Sequence, residues 1–180
     1  MLIIGISVAV ALALIIPAAV LIIGEQGRQA ELETAAEQPI EGVVETEVAS
    51  ATHVQTDVTY EQSPPVGGDH HPTWQNCGFY TAPVTDEHAV HSLEHGAVWI
   101  TYGEDLPEAD VQRLEELTER HSYLLVSPHE DAAPLTVSAW GLQLEIDSTE
   151  DERLDIFLRK YLQGPQTLEP GASCSGGIGA

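Results

Sequence analysis

The sequence predicts an α+β fold: one small domain with a mixed sheet and two helices after an irregular, histidine-rich front half, all preceded by a single N-terminal transmembrane helix. Three observations lead to this prediction. The chain begins with an uncharged apolar run. Its middle is rich in histidine, proline and glycine. In its second half, strand-like runs alternate with amphipathic helical runs. The predicted organisation is an anchor at residues 1–24, an acidic linker at 25–52 and a domain at 53–180 with an irregular C-terminal tail.

The N-terminal segment, residues 1–24, contains no charged side chain. A run of more than about 18 apolar residues is long enough, as a helix, to cross a bilayer. We therefore predict an uncleaved transmembrane anchor. The alternative is a cleavable signal peptide, which normally has a basic start, a shorter apolar region and a small-residue cleavage site. By analogy with other N-terminally anchored domains, we expect residues 25–180 to lie outside the cytoplasm.

Acidic residues dominate the chain beyond the apolar run: 29 Asp and Glu stand against six Lys and Arg, for a formal net charge of −23. This balance excludes nucleic acid as a partner, because phosphate contacts require clustered cations, and it disfavours anionic lipid headgroups for the same reason. Within the linker, EQGRQAELETAAEQ is predicted to be helical until Pro39, and the remainder is predicted to be a spacer.

The front half of the domain is predicted to be largely irregular. HVQTDVTY, at residues 53–60, alternates polar and apolar side chains and predicts an edge strand. Pro64–Trp74 is rich in proline and glycine and predicts a loop, and Gly78–Pro83 predicts a short extended segment. Thr85 is the predicted N-cap of a short helix, DEHAVHSLEH, which Gly96 closes at the C′ position.

The second half has clearer periodicity and predicts most of the core. AVWITY, at residues 97–102, is typical of a buried strand. The other predicted elements are a helix at 105–121, a strand at 123–128, hairpin strands at 135–140 and 142–147 around Gly141, and a helix from Ser148 whose apolar stripe is Leu154, Phe157, Leu158, Tyr161 and Leu162. The resulting β-α-β-β-β-α order also resembles the βαβ–ββα order of thioredoxin-like proteins.

A group of metal-ligand residue types lies in the histidine-rich part of the domain, where five of the eight histidines fall within residues 70–95. Imidazole and thiolate are the usual ligands of zinc and copper, and two histidines one helical turn apart can bind one ion. The alternative is that these histidines hydrogen-bond the backbone and organise irregular chain. The predicted metal ligands are His70, His91, His95, Cys77 and Glu94, with copper or zinc as the ion.

The sequence HSLEH also matches the H-x-x-E-H motif of inverted zinc peptidases, in which Glu94 would activate a water. The match is short, and the context is unfavourable because Gly96 ends the helix directly after His95 and a strand follows. We therefore assign no catalytic residue and rank a zinc hydrolase below the other functions considered.

The two cysteines, Cys77 and Cys174, allow two interpretations. Outside the cytoplasm two cysteines usually form one disulfide, which would tie the tail to the histidine-rich loop and remove Cys77 from any metal site. We favour this interpretation. The alternative is a Cys/His metal site with free thiols. A CxxC pair is absent from the sequence, so thioredoxin-type redox chemistry has little support.

Several separated motifs resemble one family. HVQTDVTYEQSPPVGGDHHPTWQNCGFY, HSLEHGAVWITY and VSPHEDAAPLTVSAWG occur in the order of the DUF3105 family, a domain of unknown function in membrane-anchored bacterial proteins, and GPQTLEPGASC resembles its actinobacterial members. The resemblance implies an anchored single domain and supplies no activity. His71 departs from the expected residue and is therefore a poorer candidate than His70. The blocks that the resemblance marks carry His53, His70, Cys77, His91, Glu94 and His95.

The expected function is that of a membrane-anchored extracytoplasmic protein that binds or handles copper or zinc through its histidine-rich motif. The alternative is a non-catalytic structural or interaction module of a membrane complex, with a membrane protein as its partner. Stoichiometric metal in the purified protein would favour the first, and co-purification of a partner without metal would favour the second.

Overall fold

A six-stranded mixed sheet organises the protein, whose computed structural model describes residues 20–179. Four helices accompany the sheet in that part of the chain, so the predicted α+β class with a mixed sheet is confirmed. The strands are β1 (Val44–Glu45), β2 (Gly78–Phe79), β3 (Val98–Tyr102), β4 (Leu124–Pro128), β5 (Leu135–Ala139) and β6 (Leu142–Ile146). The helices are α1 (20–36 in the described part), α2 (Asp86–Glu94), α3 (Glu108–Arg120) and α4 (Glu152–Tyr161).

The strand order in the sheet is β1-β6-β5-β3-β4-β2. Strands β3 and β4 are parallel and are joined by α3, whereas β5 and β6 form the predicted antiparallel hairpin around Gly141. The two outermost strands, β1 and β2, have two residues each. The β-α-β-β-β-α order predicted for the second half is therefore the observed one.

The central strand β3 is buried on both faces, which explains its continuous apolar sequence. Val98, Ile100 and Tyr102 point into the main core, where α3 and α4 pack. Trp99 points the opposite way and packs against α2, and its indole Nε1 donates to Ser127 Oγ at 3.0 Å. The sheet thus separates a main core under α3 and α4 from a smaller core under α2.

Helix α2 has the predicted boundaries within one residue, and its geometry fixes the start of β3. Thr85 occupies the N-cap position, although its side chain makes no capping hydrogen bond. Gly96 has a φ of +90°, and its N–H donates to Leu93 O at 2.9 Å. This left-handed glycine turns the chain from α2 directly into β3.

The strand predicted at residues 53–60 is wrong: this segment makes one isolated bridge, between His53 and His70. The sheet edges are occupied instead by β1 and β2. Because Val54 N donates to His70 O at 2.8 Å and His70 N donates to Thr52 O at 3.1 Å, the segment pairs with the neighbouring loop. The segment therefore pairs outside the sheet, at His53 alone.

The predicted acidic linker, residues 25–52, contributes more than a spacer. Its first part is helical as predicted, and α1 ends at residue 36, before Pro39. Beyond it, Ile40 is buried in the main core and β1 pairs with β6. Basic groups hold this segment against α4: the contacts are Arg28 to Asp155 at 3.3 Å, Arg153 to Glu41 O at 3.2 Å, Arg159 to Glu33 at 2.7 Å and Lys160 to Gln38 O at 2.6 Å.

The predicted transmembrane segment, residues 1–24, falls almost entirely outside the described residues. Across residues 20–179, no helix combines the length and the apolar character that a membrane span requires. The first described residues of α1, Val20 to Ile23, are apolar and between 57% and 73% exposed. The anchor therefore stays a prediction from the sequence.

The C-terminal tail, residues 162–179, is irregular as predicted and is tied to the domain by a disulfide between Cys77 and Cys174, with a Cα–Cα distance of 5.4 Å. Cys77 N also donates to Cys174 O at 2.8 Å. Farther along the tail, Glu169 N donates to Glu94 O at 3.1 Å. The favoured disulfide interpretation is confirmed, and the tail lies beside the end of α2.

Two glycines with the same left-handed φ of +90° allow steric and conformational costs to be separated. A Cβ at Gly96 would lie 2.6 Å from Thr167 Oγ1 and 3.0 Å from Gln163 Cα, whereas one at Gly171 would meet nothing within 4 Å. We expect Gly171→Ala to lower the free energy of unfolding by about 1–2 kcal/mol, the cost of the left-handed conformation. Gly96→Ala should lose a further ~1–3 kcal/mol from overpacking.

Denaturant unfolding of both variants and the parent protein measures these losses. Equal losses for the two glycine variants would contradict the close packing of the tail against the α2–β3 turn.

Candidate metal centre

Four side chains bring their ligand atoms within 4.8 Å of one another: His53, His70, His91 and Glu94. The centre of the group is Glu94 Oε2, which lies 3.0 Å from His70 Nε2, 3.4 Å from His53 Nε2 and 4.0 Å from His91 Nε2. Three imidazole nitrogens therefore converge on one carboxylate oxygen. We refer to these four residues as the His/Glu cluster.

Two backbone features position the cluster. His91 and Glu94 are three residues apart in the last turns of α2, so both side chains leave the helix on the same face. His53 and His70 face each other across their isolated parallel bridge, and this pairing lies over that face of α2. The His53 and His91 rings are stacked, with centroids 4.7 Å apart. The His53–His70 bridge and the last turns of α2 together form the site.

The Nδ1 atoms of two cluster histidines form hydrogen bonds to backbone carbonyl oxygens. His70 Nδ1 lies 2.8 Å from Gly68 O, and His91 Nδ1 lies 2.7 Å from His71 O. A carbonyl oxygen can only accept, so each Nδ1 carries the proton, and the neutral ring presents its lone pair at Nε2. Metal-binding histidines are commonly oriented in this way, by a hydrogen bond from the other ring nitrogen.

The contact between His70 and Glu94 requires a proton or a cation between the two facing atoms. With Nδ1 of His70 protonated, a neutral ring would bring an Nε2 lone pair to 3.0 Å from a carboxylate oxygen, so that two acceptors would face each other. The His70 side chain is fully buried and that of Glu94 is 7% exposed, so water screens this contact poorly. A proton between the two atoms, carried by Nε2 or by the carboxyl group, or a bound cation makes the contact attractive.

Burial lowers the pKa of His91 to about 4, and the nearby His95, His70 and His53 rings also lower it, against an opposing contribution from the hydrogen bond to His71 O. Its ring is therefore neutral at pH 7. Because its Nδ1 proton is committed to His71 O, its Nε2 offers a lone pair toward Glu94. This side chain already has the protonation state of a metal ligand.

The dimensions of the cluster suit a tetrahedral ion. With bonds of about 2.0–2.1 Å, as zinc makes to nitrogen and oxygen, neighbouring ligand atoms are about 3.3 Å apart. The distances of 3.0, 3.4 and 4.0 Å from the Nε2 atoms to Glu94 Oε2 lie on both sides of that value, and all the ligand atoms lie within 4.8 Å of one another, so the longer separations would shorten on binding. Three nitrogens and one oxygen without a thiolate are a donor set for zinc or copper(II). The His53 side chain is 43% exposed, so the cluster is open to solvent on that side.

The structure brings together His70, His91 and Glu94 from the predicted ligand set and separates the other two members from them. Cys77 forms the disulfide with Cys174 and is no longer a thiolate ligand. His95 shares one helix turn with His91, but its Nδ1 lies 2.7 Å from Ser173 O in the tail, and it is not part of the cluster. Three of the five predicted ligands therefore lie close together, and metal binding by them stays a prediction.

The same geometry bears on the HSLEH motif. In an inverted zinc-peptidase site, His91 and His95 would bind one ion together. Here His95 Nε2 instead lies 3.6 Å from Glu169 Oε2 in the tail, and His95 is not among the four residues whose ligand atoms lie close together. The motif does not form a two-histidine site with Glu94 beside it.

His53 is the ligand candidate that the residue pattern missed. Its position in an alternating segment predicted a strand, and it is distant in sequence from the other histidines. The signal that pointed to it was its place in a motif block of the family resemblance.

Two further histidines organise the loop, as the alternative interpretation of the sequence proposed. Thr73 N donates to His71 Nδ1 at 3.0 Å, so the proton of a neutral His71 ring is on Nε2 and that atom has no lone pair for a metal. His88 Nδ1 contacts Thr73 O and pins the same loop to α2. His71 and His88 therefore fit the scaffold interpretation, and the metal interpretation stays a prediction for the His/Glu cluster.

Long-range ¹H–¹⁵N NMR spectra of metal-free protein at pH 7 should test these proton positions. We expect the His91 ring to carry its proton on Nδ1 and the His71 ring to carry it on Nε2, because of their respective backbone partners. His71 is the internal control, since it lies in the loop that His91 contacts through the His71 carbonyl and has the opposite assignment. A proton on Nε2 of His91 would remove the lone pair on which the metal site depends.

Comparison with known families matches residues 53–176 to DUF3105, described as a protein of unknown function. No curated protein and no solved structure matches the chain. The matched residues include the whole His/Glu cluster and both cysteines, and they form more than half of the chain. The motif resemblance is thereby confirmed, and the chain belongs to the DUF3105 family.

Proposed function

We propose that this protein is a membrane-anchored, extracytoplasmic protein that binds a transition metal ion, zinc or copper, through the His/Glu cluster. The observation that carries the metal assignment is the convergence of three imidazole Nε2 atoms on one buried carboxylate oxygen. The disulfide between Cys77 and Cys174 supports a compartment outside the cytoplasm, because disulfides persist in oxidising environments and are rare in the cytosol.

A scaffold role for the histidines explains the cluster less well. The Nδ1 hydrogen bonds of His70 and His91 already hold the loop to α2. A proton between His70 Nε2 and Glu94 Oε2 would satisfy that pair, but the Nε2 lone pair of His91 would still lie 4.0 Å from the same buried oxygen without a partner that accounts for it. A divalent ion bound by all four groups would satisfy every one of these atoms.

The ligand count favours binding or handling of the ion over catalysis. Catalytic zinc sites keep one coordination position open for water or substrate, and four protein ligands on a tetrahedral ion leave none. His53 is the exposed member, at 43% exposure against 7% or less for the other three side chains. Exchange of the His53 ligand is therefore the route by which the ion enters and leaves.

Metal content of the full chain, purified in detergent without chelators and then supplied with zinc or copper, tests the proposal. We expect about one tightly bound equivalent and no free thiol, because both cysteines are in the disulfide. Binding should raise the midpoint of thermal unfolding, since an ion that binds only the folded state stabilises it. Protein without metal whose unfolding midpoint is unchanged by either ion would refute the metal assignment, and the search would move to a membrane-protein partner.

Substitutions in the His/Glu cluster should weaken binding of the metal ion, and substitutions elsewhere should not. His70→Ala and His91→Ala each remove a ligand, and Glu94→Gln removes the negative charge at nearly constant shape. We expect each to lower metal affinity by at least about 10–100-fold, the loss usually seen when even an outer partner of a ligand is removed. His121→Ala, outside the cluster, is the control and should bind metal like the parent protein. Equal affinity for all variants would place the ion elsewhere.

The proposed anchor has a separate test. The full chain should remain in the membrane fraction after an alkaline wash, and a variant lacking residues 1–24 should not, because only the former has the long apolar run. Protease added outside intact cells should digest residues 25–180 once the cell wall is removed. Protection of these residues would contradict the extracytoplasmic placement, and release of the full chain by the wash would contradict the anchor.

A further inference from the structure

We propose that His95 and Glu169 form a second, weaker metal position that exchanges ions with the His/Glu cluster, an inference that rests on the proposed function for the kind of ion. His95 Nε2 lies 3.6 Å from Glu169 Oε2. This distance is close to the spacing of about 3.3 Å between neighbouring ligands of a tetrahedral ion. One imidazole and one carboxylate make a donor pair for zinc or copper(II).

His95 has the same orientation as the cluster histidines. Its Nδ1 lies 2.7 Å from Ser173 O, so Nδ1 carries the proton and the neutral ring presents the Nε2 lone pair toward Glu169. The His95 side chain is 4% exposed, whereas that of Glu169 is 51% exposed. A buried, oriented nitrogen thus faces a carboxylate at the surface, where water can complete the coordination of an ion.

The second position is next to the first. The His91 and His95 rings are edge to face with centroids 4.6 Å apart, so one helix turn separates a cluster ligand from the His95 pair. The Trp74 ring adjoins both, with centroids 5.8 Å from His91 and 5.0 Å from His95. The second position is therefore adjacent to the cluster, and this adjacency is the geometric basis for exchange of an ion between them.

The two metal positions are formed by different segments of the chain. All four cluster ligands lie between residues 53 and 94. The second position needs the tail, which supplies both Glu169 and the Ser173 carbonyl that orients His95. The tail is fixed by the disulfide between Cys77 and Cys174. Loss of the disulfide should therefore remove the second position and leave the first intact.

Calorimetric titration of the disulfide-bonded full chain in detergent with Zn²⁺ tests the proposal. The parent protein should take a tight first equivalent and a weaker second one. His95→Ala and Glu169→Gln should each weaken the second equivalent by at least about tenfold and leave the first unchanged. Glu119→Gln, an exposed carboxylate on α3, is the matched control and should keep both equivalents.

The double variant Cys77→Ser/Cys174→Ser separates the disulfide from thiol chemistry, because it offers no new thiolate ligand. It should bind the first equivalent and lose the second. If the double variant does not fold, the titration of Glu169→Gln still tests whether the second metal position exists.

The outcomes distinguish this inference from the proposed function. A single equivalent in the parent protein, lost in His91→Ala, would overturn the second position and keep the first. Two equivalents that Glu169→Gln does not affect would also overturn it. A second equivalent that persists in His91→Ala and disappears in Glu169→Gln would establish the second position even if the cluster binds no ion.

Discussion

The buried Glu94 carboxylate is the constraint on which the histidine-rich half of the protein depends. A carboxylate with 7% of its side chain exposed is stable only beside positive charge or several donors. This half of the chain supplies imidazoles and backbone and no lysine or arginine. Because His70 and His91 turn Nδ1 to backbone carbonyls and Nε2 toward Glu94, a proton or a metal ion must neutralise the carboxylate.

Helix α2 connects this polar site to the core. One face carries Ala89, Val90 and Leu93 and packs on Trp99 of the central strand. The other face carries His91 and Glu94 and is covered by the loop that contains His70. Because Gly96 turns the chain straight into β3, the helix end is held by the sheet on one side and by the tail on the other. The site is thus built on a rigid support.

The sequence was most informative where local periodicity and burial agree. The strands and helices after Gly96 followed from apolar runs and a helical stripe, and His70, His91 and Glu94 followed from the density of ligand residue types. Periodicity could not reveal β1, because two residues carry no pattern, nor could it bring His53 to the site, because a single bridge to His70 places it there. His95 was misplaced in the cluster because helical spacing gives a shared face but does not say which atom each ring meets. That choice depends on the tail, which comes from the far end of the chain.

The two-residue strands at both edges of the sheet restrict how another protein can bind. Binding by addition of a strand needs a long row of free backbone groups on a sheet edge, and short edge strands are a common protection against such pairing and against aggregation. Recognition must then occur through side chains. With 29 acidic residues and six basic ones, most of that surface is negative, so a protein that docks on it is expected to be basic. The same charge attracts cations from solution and raises their concentration near the exposed side of the His/Glu cluster.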